Sequence, residues 1–197
     1  MRKGAATREA IVGRALEQAV SVGLEGLSLG PLADSLELSK SGLFAHFKSK
    51  EALQLAVLEE AIERFRSRVI EPSLLEPRGR ARMEALIGRW FDWVDGEAEV
   101  RGCLFAVSAQ EYDDREGLIR DRLVASQADW HETLARVASD LPKAGKAPGD
   151  YCRQLVFELV GISLAYQQHV KLFRAPNARV RAEEAIARLL DDAADAV

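Results

Sequence analysis

Two serine–lysine pairs, Ser39-Lys40 and Ser49-Lys50, stand where helices are predicted to begin. A serine at the N-cap accepts a hydrogen bond from a backbone amide of the first turn, which puts the following lysine at the first helical position. A lysine is unfavourable there on its own, because the helix macrodipole makes that end positive. Solvated lysines are the simpler reading of either pair alone. The repetition favours two phosphate contacts, each built from a hydroxyl, backbone amides and an ammonium.

Between the two pairs the sequence predicts a short helix with one open face. Leu43 and Phe47 are four residues apart and would hold this helix to the domain core. The candidate base and backbone contacts face solvent and are Lys40, Ser41, Gly42, Phe44, Ala45 and His46. Ser28 is predicted to be the N-cap of a helix that begins just after it, and Glu37-Leu38 would be the turn between that helix and the short one. This arrangement is a helix-turn-helix, which lays its second helix in the major groove of DNA.

The rest of the chain also has helical periodicity, so the fold class is predicted to be all-α, with about nine helices. Helix four would begin after Ser49 and end at about Val69, because Pro72 cannot continue it. We divide the chain into a DNA-binding domain (1–50), the connecting helix four (about 50–69) and a C-terminal regulatory and dimerisation domain within 51–197. The sequence shows no strand alternation, repeat or low-complexity tract.

Charge is unevenly distributed along the 197 residues. The chain has a net charge of −4, but residues 1–50 carry +2 and the remainder −6. The N-terminal part can therefore approach DNA while the rest avoids it. No apolar run is long enough for a signal peptide or a membrane span, so we expect a cytoplasmic protein with no membrane partner.

Taken together, residues 23–28, Leu32-Ala33 and residues 38–53 resemble the N-terminal domain of the tetracycline-repressor (TetR) family. The resemblance covers about residues 7–55. It implies an all-helical homodimer that binds operator DNA and has a C-terminal domain for a small-molecule effector. Residue by residue, it places Lys40, Ser41, Gly42, Phe44 and His46 on the recognition helix. It also implies that Ser28 and Lys50 touch phosphates.

Two positions depart from the commonest pattern of that family. Gly42 stands where threonine is frequent, and Phe44 where tyrosine is frequent, so each lacks a hydroxyl. Phe44 is expected to press its ring against a thymine methyl or a sugar instead. Both departures concern which operator is read rather than whether DNA is bound.

The last two helices, within about 151–194, are the predicted dimer interface. Apolar residues spread around most of the helix from Tyr151 to Phe173, so it should be covered on two sides. Pairing with the final helix across a two-fold axis would form a four-helix interface. A symmetric dimer would read a palindromic operator. The alternative is a monomer with one buried central helix.

The effector site is predicted from aromatic and polar residues of the C-terminal part, on the strength of the family's known inducer domain. The candidates are Trp90, Trp93, Phe105, Gln127, Trp130, His131, Phe157 and Tyr166. For any single aromatic residue, core packing is the simpler explanation. Together they suit a mostly apolar compound that would release the DNA of a repressor.

Two other function classes remain as alternatives. Gly26-Leu27-Ser28-Leu29-Gly30 matches the nucleophile elbow of serine esterases, but that elbow must follow a β-strand and none is predicted. A helical protein-interaction module would leave the two serine–lysine pairs unexplained. We therefore predict no enzyme activity, no catalytic residues and no cofactor. The scattered histidines and two isolated cysteines predict no metal site, and Cys103 is better explained as a buried thiol than as a redox sensor.

Overall fold

The structure, a computed structural model, describes residues 2–96, 102–143 and 149–194, without the side chains of residues 2 and 3. Within these ranges the chain forms nine helices and no strand, in agreement with the predicted all-α class. They are α1 (Arg2–Val22), α2 (Leu29–Ser35), α3 (Lys40–His46), α4 (Lys50–Phe65, continuing to Leu74), α5 (Arg80–Asp95), α6 (Leu104–Tyr112), α7 (Leu118–Ala138), α8 (Asp150–Lys171) and α9 (Ala178–Ala194).

The chain folds into two compact units. The first combines residues 1–64 with 103–125, and the second combines residues 65–102 with 126–197. The first unit thus holds α6 and the start of α7 as well as α1, α2, α3 and the part of α4 up to Arg64. Fully buried leucines on α2, α3, α4 and the turn after α1 contribute to its core, namely Leu24, Leu32, Leu43, Leu53 and Leu58.

Helix α4 is longer than the sequence predicts. A π-helical turn, Arg66–Ile70, follows Phe65, and the helix continues through Glu71–Leu74 instead of stopping at Pro72. The wider π turn lets Pro72 fall in the first turn of the next α-helical segment, where its missing N–H costs no hydrogen bond. The chain leaves the helical conformation only after Leu74.

None of the helices in the described part of the chain is long and apolar enough to cross a lipid bilayer.

Candidate functional site

Helix α3 is anchored at its middle and at its C-terminal end, and it is capped at its start. Leu43 and Phe47 are only 1% and 3% exposed, as their spacing predicts. At the start of the helix, Ser39 Oγ accepts a hydrogen bond of 3.0 Å from Gly42 N. This bond confirms Ser39 as the N-cap and Lys40 as the first helical residue. The buried anchors and the cap leave the opposite face of α3 open.

Four of the predicted contact residues share that open face: Lys40, Ser41, Phe44 and Ala45. Gly42 and His46 are half-buried at its edge. Ser41 Oγ lies 3.0 Å from Ser39 Oγ, so the two hydroxyls share a hydrogen bond. The ring of Phe44 is 46% exposed. The open face of α3 therefore combines one cation, a bonded hydroxyl and an apolar surface.

Ser28 occupies the N-cap position of α2, but its side chain makes no capping hydrogen bond. The predicted hydroxyl cap is therefore wrong. A capping oxygen accepts from the amide of the second or third helical residue, and the third residue here is Pro31, which has no N–H. The exposed Ser28 hydroxyl remains open to an outside partner.

Lys50 is the first residue of α4, and Ser49 is the N-cap of this helix. Ala52 N donates to Ser49 Oγ over 3.1 Å, so the predicted local geometry is present. The ammonium, however, donates to the carbonyl oxygen of Glu25 (2.6 Å) and lies 3.8 Å from the Glu25 carboxylate. Lys40, by contrast, makes no hydrogen bond or ion pair with the described residues. Lys50 thus fastens the start of α4 to the turn between α1 and α2.

Glu25 is the centre of a polar network that the sequence analysis missed. Tyr112 Oη donates to Glu25 Oε1 over 2.7 Å, and Arg115 Nη1 lies 3.1 Å from the same oxygen. The Tyr112 hydrogen bond is the largest influence on the carboxylate and, with the charges of Lys50 and Arg115, lowers the pKa of Glu25 despite its partial burial. Burial and the bond to Glu25 raise the pKa of Tyr112.

Glu111 closes the same turn from the other side. Its Oε2 accepts a hydrogen bond of 2.9 Å from Leu24 N. Gly23 adopts φ +79°, and a Cβ atom there would lie 1.8 Å from Glu111 Oε1. The turn therefore requires glycine. Because Glu111 is 87 residues from Leu24 in the chain, no local pattern reveals this contact.

An open cleft of about 400 Å³ lies beside the Glu25 network. Its charged lining comprises Lys50, Arg115, Arg120, Glu25, Glu51 and Glu116. The formal charges of these three basic and three acidic side chains cancel.

The second unit contains an aromatic cluster formed by α4, α5 and α7. Its members are Phe65, Trp90, Trp93 and Trp130. The Phe65 ring centroid lies 5.5 Å from that of Trp93 and 5.0 Å from that of Trp130, with the rings nearly perpendicular. Such edge-to-face packing is favourable. Three predicted effector residues are therefore brought together, and Phe65 joins them from the apolar stripe of α4.

Trp130 adds a hydrogen-bond donor to this cluster. The residue is 5% exposed, and its Nε1 has no hydrogen-bond partner among the described residues. A buried donor without an acceptor is destabilising, so an acceptor on a bound molecule would be favoured. Gln127 is half-buried one turn earlier on α7, whereas His131 is exposed.

The remaining predicted effector residues have other surroundings. Tyr166 is buried against the Phe91 ring (4.6 Å), and its hydroxyl donates to Asp95. Burial and this bond raise the pKa of Tyr166. Phe105 is buried and belongs to the first unit. Phe157 is 74% exposed on α8, so it lies apart from the cluster. The prediction placed Phe157 in the effector site with the other aromatic residues, and its exposed position on α8 does not support that.

The described residues also bear on a metal site and on the strand that an esterase elbow needs. They include no group of three or more His, Cys, Asp or Glu side chains able to hold a metal ion. Residues 26–30 form a turn and the first residues of α2, and no strand precedes them in the described ranges. A nucleophile elbow needs that strand, so this feature of esterases is missing. Cys103 and Cys152 are both buried.

Comparison with known proteins covers both parts of the chain. Residues 11–57 match "Bacterial regulatory proteins, tetR family", and residues 79–186 match "Tetracyclin repressor-like, C-terminal domain". No curated protein has a significantly matching sequence.

Solved structures share the fold along nearly the whole chain. SCO4454, a TetR-family transcriptional regulator from Streptomyces coelicolor, has a TM-score of 0.83 at 19% identity, over 98% of this chain and 97% of that one. A TetR transcriptional regulator from Chloroflexus aurantiacus J-10-FL has a TM-score of 0.82 at 24% identity, over 97% and 96%. AibR in complex with isovaleryl coenzyme A and operator DNA has a TM-score of 0.71 at 20% identity, over 94% and 96%.

The C-terminal match alone spans more than half of the chain, and the N-terminal match contains the capped and anchored helix α3. This protein therefore belongs to the TetR family of DNA-binding transcriptional regulators.

Proposed function

We propose that this protein is a ligand-responsive repressor that binds a palindromic operator as a homodimer. The observation that carries this proposal is α3, a helix held by Leu43 and Phe47 that turns Lys40, Ser41 and Phe44 outward. An exposed second helix of a helix-turn-helix is the element that enters the major groove. Ser28, Ser39 and Lys50 would position it on the phosphates, and Gly42 and His46 would border the base contacts.

The proposed dimer interface is the outer face of α8 and α9. Phe157 and Leu164 on α8 are 74% and 50% exposed, and Val180 on α9 is 54% exposed. Large apolar side chains exposed on two helices that contact each other favour association between copies of the chain. A two-fold axis would then present two α3 helices to half-sites about one DNA turn apart.

The proposed effector is a small, mostly apolar compound with a hydrogen-bond acceptor. The aromatic cluster of the second unit and the unpartnered Trp130 Nε1 support that chemistry. AibR, which shares the fold, has been solved with both a small molecule and operator DNA, which supports a ligand response here. The compound would act by favouring the conformation that binds DNA poorly.

Repression is proposed because a bound dimer would obstruct RNA polymerase. The proposed compartment is the cytoplasm, because the bacterial chromosome lies there.

Selection of genomic fragments by the purified protein at moderate salt tests this function. We expect enrichment of a palindromic site beside the gene of this protein or its neighbours. Analytical ultracentrifugation of the protein with that site should show two chains per duplex. Failure to enrich any sequence, with no salt-dependent DNA binding, would favour the protein-interaction module instead.

A further inference from the structure

Apart from Lys40 at its start, the open face of α3 lacks the side chains that usually read bases through paired hydrogen bonds. Arginine contacts guanine and asparagine or glutamine contacts adenine in that way, but residues 40–46 are Lys-Ser-Gly-Leu-Phe-Ala-His. The Ser41 hydroxyl is already bonded to that of Ser39. Gly42 contributes no side chain, and a Cβ there would come within 3.1 Å of Ser39 Oγ. Polar readout by α3 is therefore left to Lys40 and His46 at its ends.

The middle of the same face is apolar. Phe44 exposes 46% of its surface, and the exposed Ala45 adjoins it. Lys40 and Ser41 lie one turn earlier, so this apolar patch sits beside the cation expected to face DNA. In the major groove, the apolar group that distinguishes one base pair from another is the C5-methyl of thymine.

We propose that Phe44 and Ala45 read thymine methyl groups, so that each operator half-site carries a thymine opposite Phe44. This inference rests on the proposed DNA-binding role of α3. It assigns base specificity to a hydrophobic contact rather than to a hydrogen bond.

The size of the expected effect follows from the burial of one methyl group. Removing one methyl from the contact should weaken binding about fourfold for each half-site changed. Deoxyuridine differs from thymidine only by this methyl and leaves base pairing and the phosphates unchanged, so salt-dependent contacts are unaffected.

Fluorescence anisotropy with the operator recovered from genomic selection provides the test. Each thymine is replaced in turn by deoxyuridine, symmetrically in both half-sites. We expect one thymine, or two adjacent ones, to be sensitive in the wild-type protein. At least one sensitive thymine, the one opposite Phe44, should lose its sensitivity in Phe44→Ala and keep it in Val124→Ala, a matched change at an apolar residue of the first unit that is 51% exposed.

A second arm uses cytosine at the sensitive position. Replacing that T·A pair by C·G should weaken binding, and methylating the cytosine at C5 should recover about fourfold per half-site. The Phe44→Ala protein should not distinguish cytosine from 5-methylcytosine.

The outcomes separate this inference from the proposed function. If the wild-type protein selects an operator but tolerates deoxyuridine at every thymine, methyl reading is overturned while the repressor proposal stands. If every sensitive thymine stays sensitive in Phe44→Ala, methyl reading by Phe44 is overturned as well, because another group then contacts the methyl. If no operator is selected at all, the proposed function fails first.

Discussion

The starts of α3 and α4 have the same local sequence, a serine cap followed by a lysine, yet the two lysines have different surroundings. Lys40 lies on the open face of α3 with no bonded partner among the described residues. Lys50 donates to Glu25 and holds the turn after α1. Local sequence therefore sets where each helix begins, whereas packing sets whether its cation is available. We expect Lys40 only to bind DNA, and Lys50 both to bind DNA and to stabilise the fold.

The largest expected effect comes from removing the buried side chain that anchors α3. This change affects α3 and leaves the start of α4 unchanged. Leu43→Ala empties a site that is 1% exposed and should lower the free energy of unfolding by about 2–5 kcal/mol. Urea denaturation measures the loss, and operator binding should fall with it. Phe44→Ala on the same helix is the control, with a change within about 0.5 kcal/mol. A wild-type midpoint for Leu43→Ala would mean that α3 is held by other contacts.

A change at Gly23 should disturb the start of α4 instead, through the turn that holds Lys50. Gly23→Ala forces a side chain into φ +79° and against Glu111, so we expect a loss of about 1–3 kcal/mol. Adding Glu111→Ala removes the clash but not the backbone strain, so the double variant should be less destabilised than the sum of the single variants.

Gly88→Ala is the matched control for Gly23→Ala. A Cβ at Gly88 meets no atom within 4 Å, and the residue lies inside a helix, where alanine is favoured over glycine. Thermal unfolding should show no loss of stability for this variant. If Gly23→Ala and Gly88→Ala lost the same stability, neither the positive φ of Gly23 nor its contact with Glu111 would explain the loss.

Comparing Lys40→Ala with Lys50→Ala tests directly how the two cations differ. Each should lower the slope of log affinity against log salt by about 1 if it contacts a phosphate. Lys50→Ala should weaken all sequences almost equally and also cost about 1 kcal/mol of stability, because it loses the bond to Glu25. Lys40→Ala should leave stability unchanged and alter the ranking of sites, as should changes at Ser41 or His46.

Two results would contradict the expected difference between Lys40 and Lys50. An unchanged salt slope for Lys50→Ala would show that Glu25 occupies its ammonium completely. Equal unfolding midpoints for the two variants would remove the structural role of Lys50.

The smallest expected effect is the pH dependence contributed by Glu25. Its pKa is lowered in the folded protein from the ordinary value of 4.5. The carboxylate therefore stabilises the fold above that value, and this contribution is lost as the pH falls through the lowered folded pKa. Between about pH 6 and about pH 3, Glu25→Gln should lose less stability than the wild type, as measured by urea denaturation.

Glu116→Gln serves as the control for Glu25→Gln. Glu116 lines the same cleft, is exposed, and makes no ion pair with the described residues. Its pH profile should follow that of the wild type. A Glu25→Gln profile that also follows the wild type would show that the network contributes nothing to acid stability.

Much of the fold was predictable because the signals are local. The spacing of Leu43 and Phe47 indicated the buried side of α3, and Ser39 and Ser49 marked two helix starts that the structure confirms. Local rules also interact, and the prediction failed where one overrode another. Pro31 removes one of the two amides that Ser28 could have capped, and the π turn before Pro72 lets α4 continue to Leu74.

By itself, the sequence determined the helices, the capped and anchored recognition helix, and the family. Backbone hydrogen bonding and apolar periodicity act over one or two turns, so these features need no distant partner. Only the tertiary structure decided that Lys50 is bonded to Glu25, that Tyr112 and Glu111 hold the same turn, and that Phe65 joins Trp130. The hydrogen bonds and ring contacts responsible join residues 25 to 87 positions apart in the chain, and such pairings exist only once the helices have packed.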